Sequence, residues 1–136
     1  MKSLATLQRL AKMAVDQERQ ALLAIGGEIA DLETAIERQR QAIEREAAAS
    51  LDVMTSGVTL IAYIEAGKAR IRELETRRQA LRQAYDIQLE RVRAQRVEEK
   101  RYERLAERRA EQAAREADAK EQKMIDELVT ISRKVV

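Results

Sequence analysis

The sequence predicts an all-α fold: an antiparallel two-helix coiled-coil hairpin with a longer, overhanging C-terminal helix. Three observations predict it. No proline occurs in 136 residues, so nothing forces a long helix to stop. Alanine, leucine, glutamine, glutamate and arginine, the residues of highest helix propensity, dominate. Apolar residues recur in alternating steps of three and four along two unequal runs, separated by one break near Ser56-Gly57. Although 45% of residues are apolar, the aromatics are three tyrosines, which suits a packed seam better than a globular core. The expected organisation is one domain over residues 1–136, with a first helix at about 3–50, a turn at about 51–59 and a second helix at about 60–133.

In the first helix, Leu22, Ile25, Ile29, Leu32, Ile36, Gln39 and Ile43 hold the spacing of a coiled-coil seam. Upstream, Leu4, Leu7, Leu10, Ala11, Ala14 and Val15 make a broader stripe of smaller residues. Gly26-Gly27, between Ile25 and Ile29 of the first of these stretches, marks a candidate bend, because each glycine costs a helix about 1 kcal/mol relative to alanine. The pattern fails through residues 51–59, where β-branched residues and Gly57 collect, and Thr59 offers a hydroxyl to cap the next helix.

The second helix resumes with Leu60, Ile64, Gly67, Ile71, Leu74, Arg78, Leu81, Tyr85, Gln88 and Val92, then dilutes into Gln95, Glu99, Tyr102 and Ala106. A hairpin centred near residue 55 sets Ile36 opposite Leu74, Ile29 opposite Leu81 and Ile25 opposite Tyr85, so both seams agree on one register. The first helix then runs out at Leu4, opposite about residue 107, and about 29 residues of the second helix have no partner within the chain. On that overhang a fresh apolar stripe appears at Met124, Leu128, Ile131 and Val135, flanked by Ile125 and Val129. Three readings stay open for it: a partner-binding face, a self-association seam, or a frayed tail with accidental periodicity. An isolated helix gains little from an apolar face unless something covers it.

Composition narrows the function. Residues 1–58 carry 7 basic and 9 acidic groups and residues 59–136 carry 19 and 15, so the second arm is the basic one. The run from Arg91 to Lys123 mixes eleven basic with eight acidic groups, which argues for a solvated face laced with ion pairs rather than a DNA-contacting helix. Without histidine or cysteine there is no base for a nucleophile dyad, no thiolate and no disulfide. The turn offers a metal only Asp52, and no glycine-rich phosphate loop occurs. The expectation is therefore a non-enzymatic protein with no cofactor, no metal, no small-molecule substrate and no nucleic acid. No run approaches 18 consecutive apolar residues, and Met1-Lys2-Ser3-Leu4 lacks the apolar stretch of a signal peptide, so a cytoplasmic location is expected.

The two ends resemble the FliJ family of flagellar export proteins. The opening Ser3-Leu4-Ala5-Thr6-Leu7-Gln8-Arg9-Leu10-Ala11-Lys12, followed by Val15-Asp16 and Arg19, is similar to the family's amino end. The run Glu121-Gln122-Lys123-Met124-Ile125-Asp126-Glu127-Leu128 is similar to its carboxyl-terminal pattern. The resemblance implies a cytoplasmic, peripherally membrane-associated component of flagellar type III export, serving flagellum biogenesis and motility. It implies a stalk that engages the ring of the export ATPase, links it to the cytoplasmic domain of the membrane export gate and escorts export chaperones. The implied ATPase-binding positions are Gln122, Lys123, Met124, Asp126, Glu127 and Leu128, with Leu7 and Leu10 opposite or near them. Arg108, Arg109, Arg115 and Lys123 would add charge complementarity, and Ile131 would extend the aliphatic tip. For the gate contact, Tyr63 is the candidate, because the exposed aromatics frequent in this family at mid-hairpin reduce here to Tyr63 and Tyr85, and Tyr85 falls on the seam. The alternative function is a generic coiled-coil adaptor or homodimeric structural protein.

Overall fold

The structure, a computed structural model, describes residues 3–52 and 57–135. They form two α-helices, α1 (Leu4–Asp52) and α2 (Gly57–Val135), packed against each other. The turn expected at 51–59 is narrower than that: Leu51 and Asp52 belong to α1, Gly57, Val58 and Thr59 to α2, and residues 53–56 lie outside the described residues. Thr59 therefore stands inside α2 and does not cap it. The cap that does form is at α1, where the Ser3 hydroxyl accepts from the backbone N–H of Thr6 at 3.2 Å and the Ser3 carbonyl accepts from Leu7 N–H at 3.0 Å.

Residues 16–94 make one compact unit. Its core is Leu32, Ile36 and Leu74, with Ala35, Ile71 and Leu81 packed around them. Full burial of a side chain such as Ile36, 1% exposed, stabilises by about 1.5–3 kcal/mol. The two helices run antiparallel, since Gly67 lies against Ile43 while Tyr85 lies against Gly26. Gly67 is buried beneath Ile43, and a Cβ there would fall 2.8 Å from Ile43 Cγ1 and Cδ1 and 3.2 Å from Gln39 Nε2. Glycine at 67 thus lets the helices approach to a distance that no other residue permits without displacing Ile43.

Gly26 faces Tyr85, with 3.7 Å left to the ring for a Cβ, and Gly27 has open space. Both sit within continuous α-helix and neither has positive φ, so neither glycine is demanded by the backbone.

Polar groups on the seam are satisfied. Gln88, 7% exposed, donates from Nε2 to the Glu18 carbonyl at 3.0 Å and to the Glu18 carboxylate. Among the described residues no buried side-chain nitrogen or oxygen lacks a partner. Beside the seam, Arg40 pairs with Glu75 and Arg82 with Glu33, each at 3.1 Å. Each of these four residues directly follows a seam residue (Leu32, Gln39, Leu74 or Leu81), the flank on which coiled coils place register-setting charges. Being about half exposed, each pair contributes less than about 1 kcal/mol and favours this pairing over shifted ones.

Residues 1–15 and 95–136 make the second unit. Here the seam of α1 runs through Leu4, Gln8, Ala11 and Val15, with Ala11 and Val15 buried, while Leu10 and Met13 point outward. The broad stripe expected upstream of residue 22 is present apart from Leu10, with Leu7 and Ala14 partly buried beside the seam. On α2, Gln95, Glu99, Tyr102 and Ala106 are half-buried, and from Glu107 to Val135 every residue is exposed.

Candidate partner-binding surface

Residues 107–135 are continuous α-helix, and among the described residues none covers them. Met124, Leu128, Ile131 and Val135 follow one another at steps of four, three and four, so they share one face, and Ile125 and Val129 border it. All six are exposed; Met124 and Leu128 each keep 63% of their surface in contact with water. Such a stripe costs free energy in water until a partner surface covers it.

The neighbouring polar residues brace this segment. Gln122 Nε2 donates to Asp126 Oδ1 at 3.1 Å, and the Thr130 hydroxyl donates to the Asp126 carbonyl at 2.9 Å. Lys123, Asp126, Glu127, Thr130 and Ile131 line one shallow groove. Six of the sequence-derived positions, Gln122, Lys123, Met124, Asp126, Glu127 and Leu128, thus fall with Ile131 on two and a half turns of one helix. Arg108, Arg109 and Arg115 precede them on the same exposed segment, and among the described residues no ion pair engages any of the three.

Leu7 and Leu10 are not brought to this group. Their neighbours Gln8, Arg9 and Lys12 share a groove with Glu99 and Glu103, and the 21 residues from Glu103 to Met124 span roughly 30 Å of helix. Leu7 is half-buried beside the seam and Leu10 lies on the outer side of α1. Tyr63 stands apart as well, exposed in the second turn of α2, with Ile61 and Val58 exposed near it.

The charge of the overhang also differs from the expectation of a basic helix. Residues 107–135 hold seven basic groups (Arg108, Arg109, Arg115, Lys120, Lys123, Arg133, Lys134) and seven acidic ones (Glu107, Glu111, Glu116, Asp118, Glu121, Asp126, Glu127). The basic excess sits earlier, in residues 91–106, where six basic groups meet only Glu98, Glu99 and Glu103. A count from Arg91 to Lys123 merges a neutral segment with a cationic one, and the boundary between them becomes visible only where α1 ends.

No helix among the described residues is long and apolar enough to cross a membrane. Comparison with curated proteins and with solved structures finds no match. A family model described as the flagellar FliJ protein matches residues 1–133, nearly the whole chain, including both ends whose residues carry the likeness. With its helical hairpin and its exposed terminal helix, this chain belongs to the FliJ family of flagellar export apparatus components.

Proposed function

We propose that this protein is a non-enzymatic stalk of flagellar export that binds the export ATPase ring through the exposed part of α2. In that reading it also links the ATPase to the cytoplasmic domain of the membrane export gate and escorts export chaperones. The observation that carries the reading is the uncovered apolar stripe from Met124 to Val135, at the end of a helix that stays regular without a partner. A ring with a central opening is a natural socket for one exposed helix, because it can surround the stripe and both its borders. Each aliphatic side chain fully buried there would contribute about 1.5–3 kcal/mol before ordering costs. Arg108, Arg109, Arg115 and Lys123 would act mainly on encounter and register. Tyr63 is the proposed gate-facing residue, on the strength of its exposure alone.

Deletion of residues 120–136 tests the ATPase assignment. Copurification with the export ATPase should be lost while the helical circular dichroism of the remaining chain persists; a truncated protein that still copurifies would refute it. The same stripe favours one competing reading, self-association as a structural coiled coil. Light scattering separates the two: the stalk reading requires a monomer, and a salt-resistant dimer abolished by Leu128→Ser would support the adaptor.

A further inference from the structure

On α2 two like-charged rows run side by side, one of them Glu99, Glu103, Glu107 and Glu111, the other cationic. Arg96, Lys100, Arg104 and Arg108 succeed one another at steps of four, which stacks four cations in a single row up the helix. Like charges at that spacing repel, and the glutamate row that flanks the cations on one side, three residues on from each, offsets part of that repulsion. The adjacent row holds Val97, Arg101 and Leu105, again at steps of four, with both aliphatics exposed. Val97, Lys100, Arg101, Arg104, Leu105 and Arg108 line one continuous surface groove. The α2 seam residues Gln95, Glu99, Tyr102 and Ala106 project from the opposite side of the helix, so this face points away from α1. Among the described residues, Arg101 is paired, with Glu98 at 3.1 Å, and no ion pair engages Arg96, Lys100, Arg104 or Arg108.

We infer that this face docks an acidic amphipathic helix of a partner protein, with carboxylates facing the cationic row and aliphatic side chains closing over Val97 and Leu105. Charge complementarity selects an acidic occupant. Two features select a helix among acidic occupants. Val97 and Leu105 lie eight residues apart inside the cationic face, and a phosphate backbone or a lipid headgroup layer gains nothing from covering them. The row Glu99, Glu103, Glu107 and Glu111 borders the face on one side and Glu98 on the other, which disfavours a polyanion broad enough to reach both borders. The face precedes the Met124–Val135 stripe along α2, and the inference does not depend on what that stripe binds.

The probe is a synthetic acidic helical peptide with glutamates at every fourth position in one row and leucine eight residues apart in the next. Fluorescence anisotropy with the full chain should show binding that weakens at least tenfold in the Lys100→Glu/Arg104→Glu variant. The Arg72→Glu/Arg77→Glu variant, with the same change in net charge elsewhere on α2, should stay within about twofold of the unaltered protein. Val97→Ser/Leu105→Ser should also weaken binding, by at least threefold. All these positions are exposed, so circular dichroism should show unchanged helicity. Equal loss in the two charge-reversed variants would overturn the inference, as would indifference to Val97→Ser/Leu105→Ser. Tighter binding of duplex DNA or of phosphatidylserine vesicles than of the peptide would overturn it in favour of a phosphate-bearing occupant.

Discussion

Glycine at position 67 and glycine at position 27 are the same residue under opposite constraints. At both, alanine would gain about 1 kcal/mol of helix propensity. At 27 the new methyl group meets open space, so Gly27→Ala should raise the unfolding midpoint in a urea titration followed by circular dichroism. At 67 it would fall 2.8 Å from Ile43, and overpacking of that kind costs about 1–3 kcal/mol. Gly67→Ala should therefore lower the midpoint; a stabilised variant would mean that Ile43 swings aside at little cost. Ile36→Ala removes the most completely buried large side chain of the core and should cost about 2–5 kcal/mol in the same titration. Sequence reasoning placed Gly67, Ile36 and Gln88 on the seam from spacing alone, but spacing could not distinguish a tolerated glycine from a required one. That distinction depends on which side chain lies across the interface. It is also why Glu18, a charged residue at a seam position, emerges only once Gln88 is seen donating to it.

At the scale of the element, the two helices were legible because one spacing rule governs both and no proline interrupts either. Their ends were less so. β-branched residues around Thr59 lower helix propensity without forbidding helix, and α2 starts at Gly57 regardless. The overhang was legible as a length but not as a charge. Its near-equal numbers of acids and bases lead to a prediction: if aliphatic burial dominates its affinity, binding to the ATPase should respond weakly to ionic strength. Leu128→Ser/Ile131→Ser should cost about 3 kcal/mol together, roughly a hundredfold in Kd, whereas Arg115→Ala should cost less than tenfold. Calorimetric titration of the ATPase with each variant gives both values, and the reverse ranking would move the source of affinity from the stripe to the charges.

For the whole molecule, family membership followed from the ordered likeness at both ends, and the hairpin from periodicity; partner positions did not follow so directly. Leu7 and Leu10 share the opening motif with residues that pack near Glu99 and Glu103, far along the helix from Met124. Motif resemblance carries no information on whether the two ends meet. The ion pairs Arg40–Glu75 and Arg82–Glu33 operate at this scale too, since they favour the pairing of α1 with α2 that the buried seam sets. Exchanging the charges at one pair, Arg40→Glu with Glu75→Arg, should restore most of the stability lost in either single variant. A double variant as unstable as the singles would show that the pair does not set register.

The bare segment from Glu107 onward also makes the protein vulnerable in a way that can be read out. A helix with no tertiary neighbour opens locally far more often than a packed one, and this one presents seven arginine and lysine residues to trypsin. Digestion should begin there and leave the paired helices intact for much longer. A partner that encloses the segment would silence those early cuts, so the time course of cleavage becomes a direct gauge of occupancy in a mixture.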